Sequence, residues 1–158
     1  MNEKVAIYCR VSTDEQNILQ QRELLVKYCK EKNFYYRTFL DEGISGAISE
    51  RKQWLSLIEG CVKGEFTHIL VVKADRITRS LKYAIWFWEW LQVNSSIKLV
   101  CLYDSIDLET PDGYFSFMLN CLLSERELLI NRWRSRIGIE RAKKEGKYLG
   151  GKKGRTWK

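Results

Sequence analysis

The chain has 158 residues, is 45% hydrophobic with a single Pro, and carries a net charge of +7. That length and composition suit one domain with a sizeable core and exclude a long disordered or low-complexity chain. No apolar run reaches membrane-spanning length, and Met1-Asn2-Glu3-Lys4 leads straight into strand-like sequence, so neither a membrane span nor a signal peptide is expected and the chain reads as cytoplasmic.

Val5-Ala6-Ile7-Tyr8-Cys9 is too short for a helix and rich in strand formers, so it predicts a buried first strand. Thr13 and Gln16 have capping-box spacing, and Ile18, Leu19, Gln21, Leu24, Leu25, Tyr28 and Cys29 predict a helix over about 17–32. A second strand is predicted over 34–40, then a turn-rich loop from Asp41 to Gly46. The next helix, about 51–62, has Trp54, Leu55, Ile58 and Val62 on its expected inner face, with Gly60 and Gly64 near its end. A third strand over 66–73 leads into the loop Ala74-Asp75-Arg76-Ile77-Thr78-Arg79. Ser80 is placed to cap a helix over 81–93, whose aromatic residues Trp86, Phe87, Trp88 and Trp90 read mostly as core. A fourth strand follows over 97–103. Strands alternating with helices predict an α/β fold, a mainly parallel central sheet flanked by helices.

The last third is different. Thr110-Pro111 is a strong helix start, and nothing stops the helix before about 145. At ~1.5 Å per residue it is on the order of 50 Å long and projects beyond a domain of this size. Residues 115–122 are expected to fold onto the sheet. The distal stripe Leu129, Ile130, Trp133 and Ile137 needs a partner, most simply a second copy of the chain.

Residues 138–158 hold eight Lys/Arg against two acids, so the positive excess sits at the carboxyl end. Such a tail either follows a nucleic-acid backbone, through Lys143, Lys144, Lys147, Lys152, Lys153 and Arg155, or merely solubilises. The five Cys have no CxxC spacing and lie in apolar segments, so buried reduced thiols are expected. With His68 the single His, no metal centre is expected.

Chemistry converges on two loops. Arg10 and Ser12 lie between the first strand's carboxyl end and a helix start, where open α/β sheets bind ligands and helix termini attract anions. Asp75, Arg76 and Arg79 leave the third strand at the same edge if the strands are parallel. Arg offers forked donors suited to phosphate oxygens. The bland alternative is a cap at Ser12 and solvated arginines.

Tyr8-Cys9-Arg10-Val11-Ser12-Thr13 with Gln16 and Gln21 resembles the opening of the serine recombinases, the resolvase/invertase family. Asp41, Ser45-Gly46 and Arg51 resemble the family's second-strand and mobile-loop segment. Asp75-Arg76-Ile77-Thr78-Arg79 is similar to its DR-x-x-R motif, and Ser124-Glu125-Arg126-Glu127 with Arg132 to its long-helix motif. The matches run in order over roughly residues 4–150.

This resemblance implies a catalytic domain over 1–146 with a long dimerisation helix, followed by a basic linker over 147–158, with no DNA-binding domain in the sequence. It implies that Ser12 attacks a DNA phosphodiester to give a 5′-phosphoserine link. Arg10, Arg76 and Arg79 would bind the phosphate, and Asp75 would transfer a proton or orient an arginine. Arg126 and Arg132 would complete the site or hold it to the helix, with Tyr8, Gln16, Gln21, Asp41 and Arg51 supporting. The covalent link conserves phosphodiester energy, so no nucleotide cofactor or metal is implied. The implied partners are double-stranded DNA and further copies of the chain, a homodimer that becomes a tetramer in the synaptic complex. Asn131 stands where many members carry Glu, which bears on interface regulation. Competing readings are a catalytically silent DNA-associated regulator of the same fold, a phosphate-ester hydrolase and a nucleotide-binding module. Glu15, where a cysteine phosphatase loop needs Arg, argues against the hydrolase, and the weak Gly43–Gly46 loop argues against the nucleotide module.

Overall fold

Side chains alternate across a strand, and the first strand sorts accordingly. In β1 (Lys4–Val11), Val5, Ile7 and Cys9 join one buried cluster, and Ala6 and Tyr8 join another. The computed structural model describes residues 3–11, 15–42, 51–104 and 106–147. With β2 (Tyr35–Glu42), β3 (His68–Val71) and β4 (Lys98–Cys101), β1 forms a four-stranded sheet of order β2-β1-β3-β4. Every pairing is parallel, with Arg10 opposite Asp41 and Ile7 opposite Leu70. Helix α1 (Glu15–Glu31) covers one face with Ile18, Leu25 and Cys29. Helices α2 (Lys52–Val62), α3 (Leu81–Val93) and α4 (Pro111–Lys144) cover the other with Trp54, Leu57, Phe87, Phe117 and Cys121. The predicted α/β architecture and the long carboxyl-terminal helix are both present.

Several local expectations are corrected. Arg10 lies within β1 rather than on a loop, because the ladder with β2 continues to Val11 opposite Glu42. The inner face of α2 is Trp54, Leu57 and Cys61, whereas Leu55 and Val62 are exposed. Positions 54, 57 and 61 form an i, i+3, i+7 row, and 55 and 62 lie roughly 100° round from it. On α4 the buried row is Gly113, Phe117 and Cys121, while Phe115, Leu119 and Leu122 are exposed. The row has to pass close to the chain before it: a Cβ at Gly113 would lie 1.6 Å from the Asp107 carbonyl oxygen, so only Gly fits there. Thr110 caps α4 as expected, accepting from the Gly113 amide at 3.0 Å. Within α3, Phe87 is fully buried and Trp86 is exposed. Gly64, past the end of α2, has φ +74°, a conformation that suits glycine.

All five cysteines are free and buried. Burial pushes the thiols of Cys9, Cys61 and Cys121 up to about 12 and that of Cys29 up to about 11. Thiolate is the reactive form, so at about pH 8 the native protein should leave all five unmodified by a disulfide reagent such as DTNB. Unfolding should release all five together. Rapid modification of any thiol before unfolding would show a core that opens locally.

Candidate active site

Because the strands are parallel, the carboxyl ends of β1, β2, β3 and β4 share one edge, and the charged residues of three connections meet there. A 3₁₀ turn, Ala74–Arg76, follows β3. Arg10 donates from Nε to the Arg76 carbonyl and from Nη2 to the Asp75 carbonyl, both at 3.1 Å. Arg76 returns a bond from Nη1 to the Arg10 carbonyl at 3.2 Å. Its Nε and Nη2 donate to the two oxygens of Asp75 at 3.1 and 2.7 Å. Both Asp75 oxygens are thus engaged by Arg76. Arg79 Nη2 lies 3.9 Å from the same carboxylate, and its side chain is 45% exposed, against 23% for Arg76. Burial, then the like charge of Arg51, pulls the Arg10 pKa below its usual value, with Arg79 and Arg76 adding to the effect. Four guanidiniums therefore crowd one edge.

Beneath them lies a buried polar layer. The Tyr8 hydroxyl donates to Asp41 Oδ2 at 2.9 Å and accepts from Arg51 Nε at 2.9 Å. Arg51 also donates to the carbonyls of Ile77 and Arg76, and its guanidinium lies 5.2 Å from the ring centres of Tyr8 and Trp54. Arg51 is 2% exposed and Asp41 3%. Burial raises the Tyr8 pKa well above its ordinary value, so the hydroxyl stays protonated. This layer links β1, β2, α2 and the arginine turn.

Three helix starts at this edge are capped by carboxylates from other elements. Asp41 accepts from the amides of Gln53 and Trp54, each at 3.1 Å, at the start of α2. Asp104, after β4, accepts from the Ala74 amide at 2.7 Å. Glu125, on α4, accepts from the Leu81 amide at 3.0 Å. Ser80 occupies the N-cap position of α3, but its side chain makes no capping bond, contrary to expectation.

Arg79 and Arg132 line one groove of about 480 Å³ with Ser124, Glu127, Asn131 and Arg136. Arg126 is exposed on α4 and is not among the residues lining that groove. Gln21 is buried on α1. Lys143, Lys144 and Lys147 are exposed at the far end of α4. Ser12, Thr13, Ser45, Gly46, Lys152, Lys153, Arg155 and the side chain of Gln16 lie outside the described residues. Among the described residues no group of three or more His, Cys, Asp or Glu could hold a metal ion, and no helix is long and apolar enough to cross a membrane.

Residues 5–148 match the N-terminal domain of the resolvases. The chain belongs to the resolvase family of serine recombinases. Members of this family catalyse DNA strand cleavage and rejoining, and the chain corresponds to their catalytic domain. It is 32% identical over 145 residues to the transposon Tn917 resolvase of Enterococcus faecalis, covering 90% of this chain and 73% of that protein. It is 34% identical over 148 residues to the DNA-invertase of Escherichia phage P1, covering 92% and 73%. The solved N-terminal catalytic domain of TP901-1 integrase superposes with a TM-score of 0.64 at 30% identity, covering 82% of this chain and 99% of that one.

For this recombinase domain, the sequence motifs named the residues that meet at the sheet edge and the Tyr8, Asp41 and Arg51 layer beneath them, but gave no role to the distant carboxylates Asp104 and Glu125. Asp104 and Glu125 have no local capping signal, because each caps a helix start far from it in the chain. Glu125 falls within the Ser124-Glu125-Arg126-Glu127 motif, but its capping could have been suspected on one ground. It continues the row Gly113, Phe117, Cys121 at spacing four, and an acid at an inward position needs a partner.

Proposed function

We propose that Ser12 is the nucleophile of site-specific DNA strand exchange. The seryl oxygen attacks a backbone phosphorus, the bond from phosphorus to the 3′-oxygen breaks, and the seryl proton ends on that oxygen. The 5′-phosphate stays on Ser12 until a 3′-hydroxyl reverses the step. One observation carries this reading: of the four guanidiniums at the sheet edge, Arg76 and Arg79 share the single Asp75 carboxylate, Arg51 reaches Asp41 only through Tyr8, and Arg10, two residues before Ser12 in sequence, bonds to backbone carbonyls and to no carboxylate among the described residues. The excess positive charge matches a phosphodiester whose transition state gathers negative charge, and fixed guanidiniums stabilise it without reorganising. In this reading Arg132, beside Arg79 in the groove, supplies a further cation from the long helix, and Lys143, Lys144 and Lys147 contact flanking phosphates.

The test joins the chain to a DNA-binding domain of known site and supplies a duplex with a 3′-bridging phosphorothiolate, whose released thiol religates poorly. Wild type should accumulate a covalent complex that maps to Ser12, and Ser12→Ala should form none. Covalent product in that variant would overturn the assignment.

Self-association belongs to the same reading. Leu129, Trp133 and Ile137 are 56%, 57% and 44% exposed, and Ile130 is half-buried, so the distal stripe of α4 has no cover within the described residues. A second copy is its simplest cover, as a dimer that pairs into a tetramer when two DNA sites meet. Trp133→Glu should shift sedimentation toward monomer. An unchanged distribution would show that the stripe is not where copies meet.

A further inference from the structure

We infer that Glu125 is a positioning residue through which the long helix α4 controls the arginine turn. The inference rests on the strand-exchange reading above and assigns a residue that reading does not use.

The start of α3 lacks a cap of its own. Free amides at a helix start need an acceptor, and a carboxylate also favours the positive end of the helix dipole. Glu125 Oε2 provides both for the Leu81 amide at 3.0 Å, from a helix 44 residues away. Leu81 is two residues past Arg79. Thr78 Oγ1 accepts from the Ser80 amide at 3.0 Å, which makes 78–81 one short bonded unit. That unit is tied back to the site, because Arg51 holds the carbonyls of Ile77 and Arg76 from behind.

On α4, Glu125 follows Gly113, Phe117 and Cys121, which are buried, and every residue from 131 to 141 is exposed. Among the described residues, Glu125 is therefore the last on α4 to make a hydrogen bond to the body before the helix projects. A load on the projecting half, from a second copy or from DNA, acts on this tie before it reaches the buried Phe117 and Cys121 contacts further back. A rotation or slide of α4 large enough to pull the carboxylate away uncaps α3 and frees Arg79, which is held to Asp75 only at 3.9 Å. With the tie intact, Arg79 stays beside Arg132 in the groove.

The test compares Glu125→Ala and Glu125→Gln with wild type in the full chain. Gln keeps an acceptor oxygen and loses the charge. Amide hydrogen exchange at Leu81 reports the cap. Covalent-complex formation is followed against the concentration of randomised duplexes that carry the 3′-bridging phosphorothiolate, which separates the limiting rate from DNA affinity. Loss of a cap of this kind corresponds to about a fivefold to tenfold effect. Glu125→Ala should speed Leu81 exchange and lower the limiting rate by that factor with DNA affinity unchanged, and Glu125→Gln should recover most of both. Faster exchange with an unchanged limiting rate would reduce Glu125 to a structural cap and overturn the inference. Unchanged exchange would overturn it as well. If wild type forms no covalent complex on these duplexes even when joined to the DNA-binding domain of the test above, the strand-exchange reading fails. The coupling is then decided by whether exchange at Arg79 rises with that at Leu81 in Glu125→Ala; a rise at Leu81 alone overturns it.

Discussion

Asp41→Ala should be among the most destabilising single changes in this domain. Asp41 is 3% exposed and serves three partners: the Tyr8 hydroxyl and the amides of Gln53 and Trp54. Removing it leaves two amides at the start of α2 without an acceptor. It also leaves the buried Arg51 guanidinium, which reaches Asp41 through the Tyr8 hydroxyl, without a balancing charge. Breaking a buried charge network by deleting one partner costs about 3–5 kcal/mol. In a domain of this size that lowers the thermal midpoint by on the order of 10 °C. Asp41→Asn should fall between wild type and Ala, because its side-chain oxygen still accepts but the charge is gone. The measurement is thermal unfolding followed by circular dichroism. A shift of only a degree or two for Asp41→Ala would mean that water replaces the carboxylate and that the layer beneath the arginines is wet.

The contrast between Asp41 and α2 shows what the sequence could and could not reveal. The strand–helix alternation, the parallel sheet and the Thr110-Pro111 helix start were legible, because each depends on local pattern and short-range chemistry. The residues that meet at the sheet edge were legible too, since parallel strands bring their following loops to one side. The inner face of α2 was misread and the inward row of α4 was left open, because apolar residues occupy more than one side of each helix. Leu55 and Val62 compete with Leu57 and Cys61, and Phe115 and Leu119 compete with Phe117 and Cys121. Which row turns inward is decided by the shape of the sheet and by close approaches such as that of Gly113 to Asp107, neither of which a local window contains. The same limit applies to the caps. Ser80 has the right residue type in the right place, yet a carboxylate from α4 does the capping. Arg51 was expected among supporting residues, but its near-complete burial follows only from the way Tyr8, Trp54 and the 76–77 carbonyls enclose it.

The arginines at the edge are bonded so differently that the same substitution should separate their roles. Arg76 uses Nε, Nη1 and Nη2 within the protein, on Asp75 and on the Arg10 carbonyl. Arg79 has one long ion pair and a side chain 45% exposed. Lys keeps the charge of Arg but cannot make two parallel bonds from a planar fork. Arg79→Lys should therefore leave stability within about 0.5 kcal/mol of wild type. If Arg79 meets the phosphate as proposed, cleavage should fall by about 10²-fold, the loss expected when one donor to a charged transition state is removed. Arg76→Lys should lose cleavage to a similar extent and, in addition, about 1–3 kcal/mol of stability, because the Asp75 carboxylate and the Arg10 carbonyl lose their donors together. Single-turnover cleavage of the phosphorothiolate duplex and denaturant unfolding of the same preparations measure the two effects. Equal stability losses in the two variants would show that Arg79 is as firmly held as Arg76. Full cleavage activity in Arg79→Lys would remove Arg79 from the phosphate and leave Arg10 and Arg76 as the arginines at the reacting bond.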